Sequence, residues 1–401
     1  MGYLKFRRSL LNIFLKRACE KSKLGLVKFF IFWGANKDVK FINKIDKANI
    51  FRSEESLIEI AYQNGAIEVA KYLINNSSNI SKEELERACR FGSLDIVECL
   101  IKKVDSSYIN RADENGFTPL TSACFFNKED IALCLLESRE DIDIDKVEEQ
   151  QGQNALMLAL RNKNIKVVEA LLRKGANITR IDKNEKVIIK DYRGQTPLMC
   201  LFNPMSDSDN YNIYEVKKMI DYLLDKEESL LFEKDILGKS VLMHAVDRGN
   251  VDIVRYLIKK GSLLNDIDED NNNALVFAIK NNDFDMVKCL VDENIDLNNR
   301  NKLGKTPLMY AIEQKNLSII KYLVDNGANI NTEDKELKNT ILYAIESNDE
   351  DIVQYLIRKG ADIYIKYKTK TSLMYAIESG NRKMVESFVQ AHFNKGEQKN
   401  D

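Results

Sequence analysis

Between Ala245 and Ala344 the chain repeats itself every 33 residues: Ala245, Ala278, Ala311 and Ala344 stand in matching contexts. Leu308-Met309-Tyr310-Ala311-Ile312-Glu313 returns as Ile341-Leu342-Tyr343-Ala344-Ile345-Glu346, and again as Leu373-Met374-Tyr375-Ala376-Ile377-Glu378. A fixed period of this length specifies a stacked array, in which each unit hides its apolar face only against its neighbours. Such an array presents an extended surface for gripping another macromolecule rather than a catalytic cleft. With 401 residues, 44% hydrophobic and 30% charged, the chain is globular. Stacking lets it grow in one dimension instead of splitting into several compact domains.

Each unit carries its own helix punctuation. Thr or Asn before a helix caps orphan N–H groups, and Pro at the first helical position fits because its missing N–H is not needed there. Gly175, Gly261, Gly327 and Gly360 stand where a left-handed residue ends a second helix. Between caps, apolar residues such as Val353, Leu356 and Ile357 fall at helical spacing.

On these residues the chain resembles ankyrin repeats. Gly304 precedes Thr306-Pro307-Leu308 and Ala311, and Ile319-Ile320, Leu323-Val324 and Gly327-Ala328-Asn329 complete the unit. Gly194 with Thr196-Pro197-Leu198, and Gly116 with Thr118-Pro119-Leu120, repeat the opening. The resemblance implies an all-α solenoid of stacked helix–turn–helix units with short β-hairpin-like turns. With the first-helix Ala as anchor, about eleven units are expected, at Ala18, Ala61, Ala88, Ala123, Ala159, Leu201, Ala245, Ala278, Ala311, Ala344 and Ala376. The expected organisation is a basic leader over residues 1–9, the array over 10–392 and a polar tail over 393–401. Insertions stretch the array near 180–190 and 202–211.

Residues that suggest other chemistry fall into the repeat frame. Seven cysteines recur in core slots, no Cys-x-x-Cys pair exists and only two His are present, so no metal site is expected. Free thiols in that number fit a reducing compartment. Met157, Met199, Met243, Met309 and Met374 occupy the slot where ankyrin repeats usually have His, and read as pliable core filler. Loss of that His removes the usual polar link to the Thr of the same turn. Gly238-Lys239-Ser240 and Gly304-Lys305-Thr306 lack the earlier Gly of a phosphate loop. No nucleophile stands at a recognisable spacing from a base, so no catalytic residue, cofactor or enzyme activity is expected. Sixty basic residues against 62 acidic ones, net −2, argue against a nucleic-acid partner. The apolar run Leu24–Trp33, broken by Lys28, is too short to span a bilayer, so no membrane partner is expected either.

What remains is surface. In ankyrin repeats, partners usually touch the turn tips and the first-helix positions two and three after the anchor. Those offsets select Arg90, Phe91, Phe117, Phe125 and Phe126, with Phe91 and Phe126 in one slot of consecutive units. Clustered exposed aromatics are what a binding hot spot looks like. Farther on, Lys239, Lys305, Lys338 and Lys370 lie six before their anchors, and Asp247, Glu313, Glu346 and Glu378 two after; this reads as a solvated face with salt links. The expected function is a monomeric, non-enzymatic scaffold or adaptor binding a protein partner, cytoplasmic with a nuclear location left open. One alternative makes the chain a substrate of an asparaginyl hydroxylase that reads a Leu eight residues earlier, with Asn265, Asn298 and Asn331 as acceptors after Leu257, Leu290 and Leu323. Another makes it an adaptor subunit of a ubiquitin ligase.

Regular spacing predicts uneven stability. Hydrogen exchange is expected to be slowest between about Gly238 and Gly360, and faster from Arg180 to Tyr214; uniform protection along the chain would contradict this.

Overall fold

The computed structural model describes residues 2–42, 54–77, 80–81, 83–182, 185–203, 205 and 212–397. The chain divides into two compact units, Met1–Tyr211 and Asn212–Asp401. In the first unit, helix pairs follow one another: Gly2–Glu20 with Leu24–Phe32, Leu57–Gln63 with Ile67–Asn76, Glu84–Phe91 with Leu94–Ile101, Pro119–Phe125 with Glu129–Ser138, and Ala155–Arg161 with Ile165–Arg173. Helix Pro197–Cys200 closes the series. The second unit opens with Ile213–Lys226 and continues through five pairs, from Val241–Asp247 with Val251–Lys259 to Ser372–Glu378 with Arg382–Glu397. Within each unit, first helices pack on first helices and second on second. The fold class expected from the period is the one observed.

The anchors explain the spacing. Each of the eleven, from Ala18 to Ala376 and including Leu201, is at most 3% exposed. Thr118, Thr196 and Thr306 cap first helices through their side chains, each with Pro at the next position. Gly304 takes φ +81 in its turn, and a Cβ there would meet the Lys335 nitrogen at 2.7 Å, so only glycine fits.

Four details differ from the sequence reading. The first helix begins at Gly2, so residues 2–9 are its opening turns rather than a separate leader. The last helix runs to Glu397, through most of the expected tail; residues 398–401 lie outside the described residues. Met374 is 51% exposed although Met157, Met199, Met243 and Met309 in the same slot are buried. Helix Thr340–Ser347 packs beside the helix carrying Met309, and no described first helix covers Met374 in that way. Of the cysteines, Cys19, Cys89, Cys124, Cys200 and Cys289 are buried, while Cys99 and Cys134 are only half-buried on second helices. Tyr256, Tyr322 and Tyr355 share that half-buried slot, and their hydroxyls reach carboxylates of the preceding repeat.

The insertion near 180–190 folds as an antiparallel hairpin, Thr179–Asp182 with Glu185–Ile188, in the register Thr179↔Ile188. Most of 202–211 lies outside the described residues. Short antiparallel pairs also join Lys40–Ile42 to Glu54–Ser56 and Lys366–Tyr367 to Lys370–Thr371.

The first unit buries acids that the period did not announce. Glu59, Glu84 and Glu86 are each at most 5% exposed. Arg87 donates to Glu59 at 2.9 Å, Ser122 to Glu86 at 2.5 Å and Ser56 to Glu84 at 3.0 Å. The other Glu84 oxygen, Oε2, is buried with no hydrogen-bond partner. Burial pushes the Glu84 carboxyl up to about 7, and the Ser56 hydrogen bond only partly opposes it. Burial also raises Glu59 and Glu86.

The linkage has a definite sign. An acid whose folded value is raised leaves stability intact below its unfolded value, here 4.5, and removes it as pH climbs to about 7. Glu84→Gln keeps an acceptor for Ser56 and removes the charge. It is expected to stabilise this region by on the order of 1–3 kcal/mol at about pH 8 and to have little effect near pH 4. Hydrogen exchange in helices Leu57–Gln63 and Glu84–Phe91 at the two pH values measures it.

Candidate functional site

Helices Glu84–Phe91 and Pro119–Phe125 lie side by side, and both end in the same surface. Arg90 and Phe91 close the first helix; Phe125 closes the second, with Phe126 at its cap. Because Phe91 and Phe126 occupy one slot in neighbouring repeats, their rings meet at 6.1 Å with a 41° tilt. Phe126 meets Phe125 edge-on at 5.0 Å, and Phe125 meets Phe117 edge-on at 5.1 Å. The Arg90 guanidinium lies 4.7 Å from the Phe126 centroid and 5.1 Å from that of Phe91. Its Nε is buried without a hydrogen-bond partner, so the aromatic faces supply its local stabilisation. From the next repeat, Asn162 donates to the Cys124 carbonyl at 2.7 Å and holds the backbone under the rings.

The five residues chosen from sequence therefore form one continuous cluster, but they are not equally accessible. Phe91 is 53% exposed, while Arg90, Phe125 and Phe126 are half-buried. Phe117 is only 7% exposed, which corrects the expectation that it faces solvent. Its turn-tip position suggested exposure, yet packing on Phe125 draws the ring inward. What reaches the surface is an apolar platform of Phe91 and Phe126 with a guanidinium fixed between them. That combination suits an aromatic or acid-bearing side chain of a partner. Among the described residues, no group of three or more His, Cys, Asp or Glu is placed to hold a metal ion.

The second unit presents a different face. Lys239 reaches Asp247 at 2.7 Å and Lys305 reaches Glu313 at 2.6 Å; Lys338–Glu346 and Lys370–Glu378 repeat the link. Lys239 also lies 4.4 Å from the Phe277 centroid, and Lys305 lies 5.2 Å from that of Tyr343. Such exposed pairs contribute little stability individually. Both units also carry a feature that the sequence reading missed. Asp113, Asp191, Asp235, Asp268, Asn301 and Asp334 each accept two backbone N–H groups of their own turn through one side-chain oxygen, as Asp235 does from Leu237 and Lys239 at 2.9 Å. Three of them also grip the first helix: Asp235 meets His244 at 3.0 Å, Asn301 donates to Tyr310 at 2.8 Å and Asp334 accepts from Tyr343 at 2.6 Å. This link fastens turn to helix where the Thr–His link is lost. The signal was present, since each of the six stands ten residues before an anchor.

Asn265, Asn298 and Asn331 are exposed. Their side-chain oxygens accept at 2.8 Å from the backbone N–H of Asp296, Asn329 and Asp362, each in the following repeat. Asn331 also donates to the Gly360 carbonyl at 3.3 Å. Asn298 lines a shallow open notch of about 340 Å³ with Val291, Ile295 and Gly327. The Leu-to-Asn spacing thus has a structural cause: the Leu is core and the Asn joins neighbours.

Stacked helix pairs, buried small anchors and a polar tie recurring across six of the turns define a helical repeat protein. A family model described as Ankyrin repeats (3 copies) matches residues 85–182, 261–334 and 333–400, and a model of the single Ankyrin repeat matches residues 237–269. Those matches cover well over half of the chain, which belongs to the ankyrin repeat family. Ankyrin repeats are generally protein–protein interaction modules. A comparison with curated proteins gave no match.

The Asn ladder is testable by itself. Asn298→Ala leaves the Asn329 N–H without its acceptor and is expected to cost about 1 kcal/mol. Urea unfolding measures the loss, and exchange of the Asn329 amide should rise with it.

Proposed function

We propose that this chain is a non-enzymatic scaffold or adaptor that holds a protein partner on the surface where helices Glu84–Phe91 and Pro119–Phe125 end. The observation that carries the reading is the Phe91–Arg90–Phe126 platform: two aromatic rings in register on successive repeats with a cation held between them. Large rigid rings bring contact area at low entropic cost, and a preset guanidinium adds direction to the grip. Family membership supports the general role, and the platform supports this location. The buried Glu86, tied to Ser122 beneath the same two helices, stiffens the support. A second reading, hydroxylation of Asn265, Asn298 or Asn331, has their surface exposure in its favour. It requires a modifying enzyme to break the inter-repeat hydrogen bond that each one makes, and intact-mass analysis of the native protein tests it directly.

Affinity purification of the full chain supplies the partner, and two substitutions then test the surface. Phe91→Ala is expected to weaken partner binding by roughly 1–4 kcal/mol with little change in melting temperature. Phe117→Ala, in contrast, is expected to lower folding stability by about 3–5 kcal/mol because it removes a core ring. A partner that binds the Phe91→Ala and Phe126→Ala variants as tightly as the parent would place the contact elsewhere.

A further inference from the structure

The pair Gly2–Glu20 and Leu24–Phe32 exposes more aromatic surface than the packing of a repeat requires. Phe32 is 85% exposed, Phe29 52%, Trp33 50% and Phe14 45%. These rings are not scattered. Phe14 stacks on Phe30 at 5.9 Å, Phe30 meets Phe29 at 5.5 Å, Phe29 meets Trp33 at 6.0 Å and Trp33 meets Phe32 at 6.3 Å. The line of rings crosses from one helix to the other and makes a single face. Leu10, Ile13 and Leu26 are exposed as well, and Leu10, Ile13, Phe14 and Arg17 recur at the spacing of one helical face. An exposed apolar strip of this extent marks an interaction surface.

Its charge selects the partner. Arg7, Arg8, Arg17, Lys21 and Lys23 are exposed around it. Glu20 is the only acid before Asp38, and it lies 3.9 Å from Lys16. The whole chain carries −2, so this basic end is a local excess rather than a general trend. We infer that the aromatic face of these two helices docks on an anionic lipid surface, with its rings entering the headgroup region and its basic rim meeting lipid phosphates and carboxylates. Aromatic and aliphatic side chains on one face with Lys and Arg beside them are what an interfacial helix needs. A second copy of the chain fits poorly, because face-to-face pairing sets like charges against each other. Single-stranded nucleic acid fits less well than lipid, because it needs free flat rings; here the rings lean on one another and Leu10, Ile13 and Leu26 share the surface. No described helix is long and apolar enough to cross a membrane, and a surface contact requires none. This inference is independent of the Phe91–Phe126 platform, and its test involves no protein partner.

Trp33 is the only tryptophan in the chain, so its emission reports this face alone. The full chain is titrated with vesicles of phosphatidylcholine, with and without phosphatidylserine, while emission and co-sedimentation are followed. A blue shift with the phosphatidylserine vesicles that fades at high salt, and its absence with phosphatidylcholine alone, are the expected results. Arg17→Glu with Lys23→Glu leaves the aromatic face intact and is expected to weaken binding at least about tenfold. Phe32→Ser, at a side chain that lies almost wholly in solvent, is expected to weaken it about tenfold with an unchanged melting curve. Four results would overturn the inference: no shift with either vesicle; an equal shift with both; a shift that grows with protein concentration in the absence of lipid, which indicates self-association; or a larger shift with poly(U) RNA than with phosphatidylserine vesicles.

Discussion

The structure rests on close approach between first helices of neighbouring repeats. That approach is possible because the residue at the contact is small: Ala at ten of the eleven anchors, each almost fully buried. A larger side chain would push the helices apart and open voids along the seam, which protein interiors do not tolerate cheaply. With the anchors set, Leu and Met of the same helices interlock and the second helices fall into line behind them. No repeat has a core of its own, so cohesion lies in the seams between repeats. Leu201, the one large anchor, follows a helix of only four residues, Pro197–Cys200, where there is less helix to keep close.

The periodic part of this arrangement was legible in the sequence because it depends on residue size and spacing, which recur. Thr306-Pro307-Leu308 announced a capped helix, and Gly327 its partner's end. The polar part was harder to read. The Asp235–His244 and Asp334–Tyr343 ties join residues nine apart through a turn, and their chemistry changes from repeat to repeat while their geometry persists. Glu59, Glu84 and Glu86 resembled ordinary surface acids because helical spacing does not reveal that Ser56, Arg87 and Ser122 are waiting in neighbouring elements. At the candidate site the slots of Phe91 and Phe126 were readable as neighbours, since equal offsets in successive repeats must meet. The depth of Phe117 was not, because its burial depends on how the ring turns toward Phe125.

The two units spend their polar residues differently. The first holds buried glutamates, clustered aromatics and a basic end, each a departure from the repeat pattern. The second keeps the pattern and decorates it with regular Lys–Glu links and Tyr–Asp contacts between second helices. Departures from a repeat carry a stability cost, since they replace interactions that the stack already optimises. Their concentration in one unit is why both proposed interaction surfaces lie there, while the other unit is the more regular structural body.

The rungs contributed by Asn265, Asn298 and Asn331 have one property beyond their strength. Each takes from the next repeat only backbone groups, an N–H in every case and at Asn331 the Gly360 carbonyl as well, and every residue except proline provides such an N–H. The seam is therefore specified from one side, and the repeat that follows is free to vary in side chain at the point of contact. A repeat carrying its own Asn can be duplicated, deleted or exchanged and still find a mate for its rung. Modules of this kind lengthen by copying without any need to rewrite their neighbours, and the Asn recurs at the 33-residue period, as Asn265, Asn298 and Asn331.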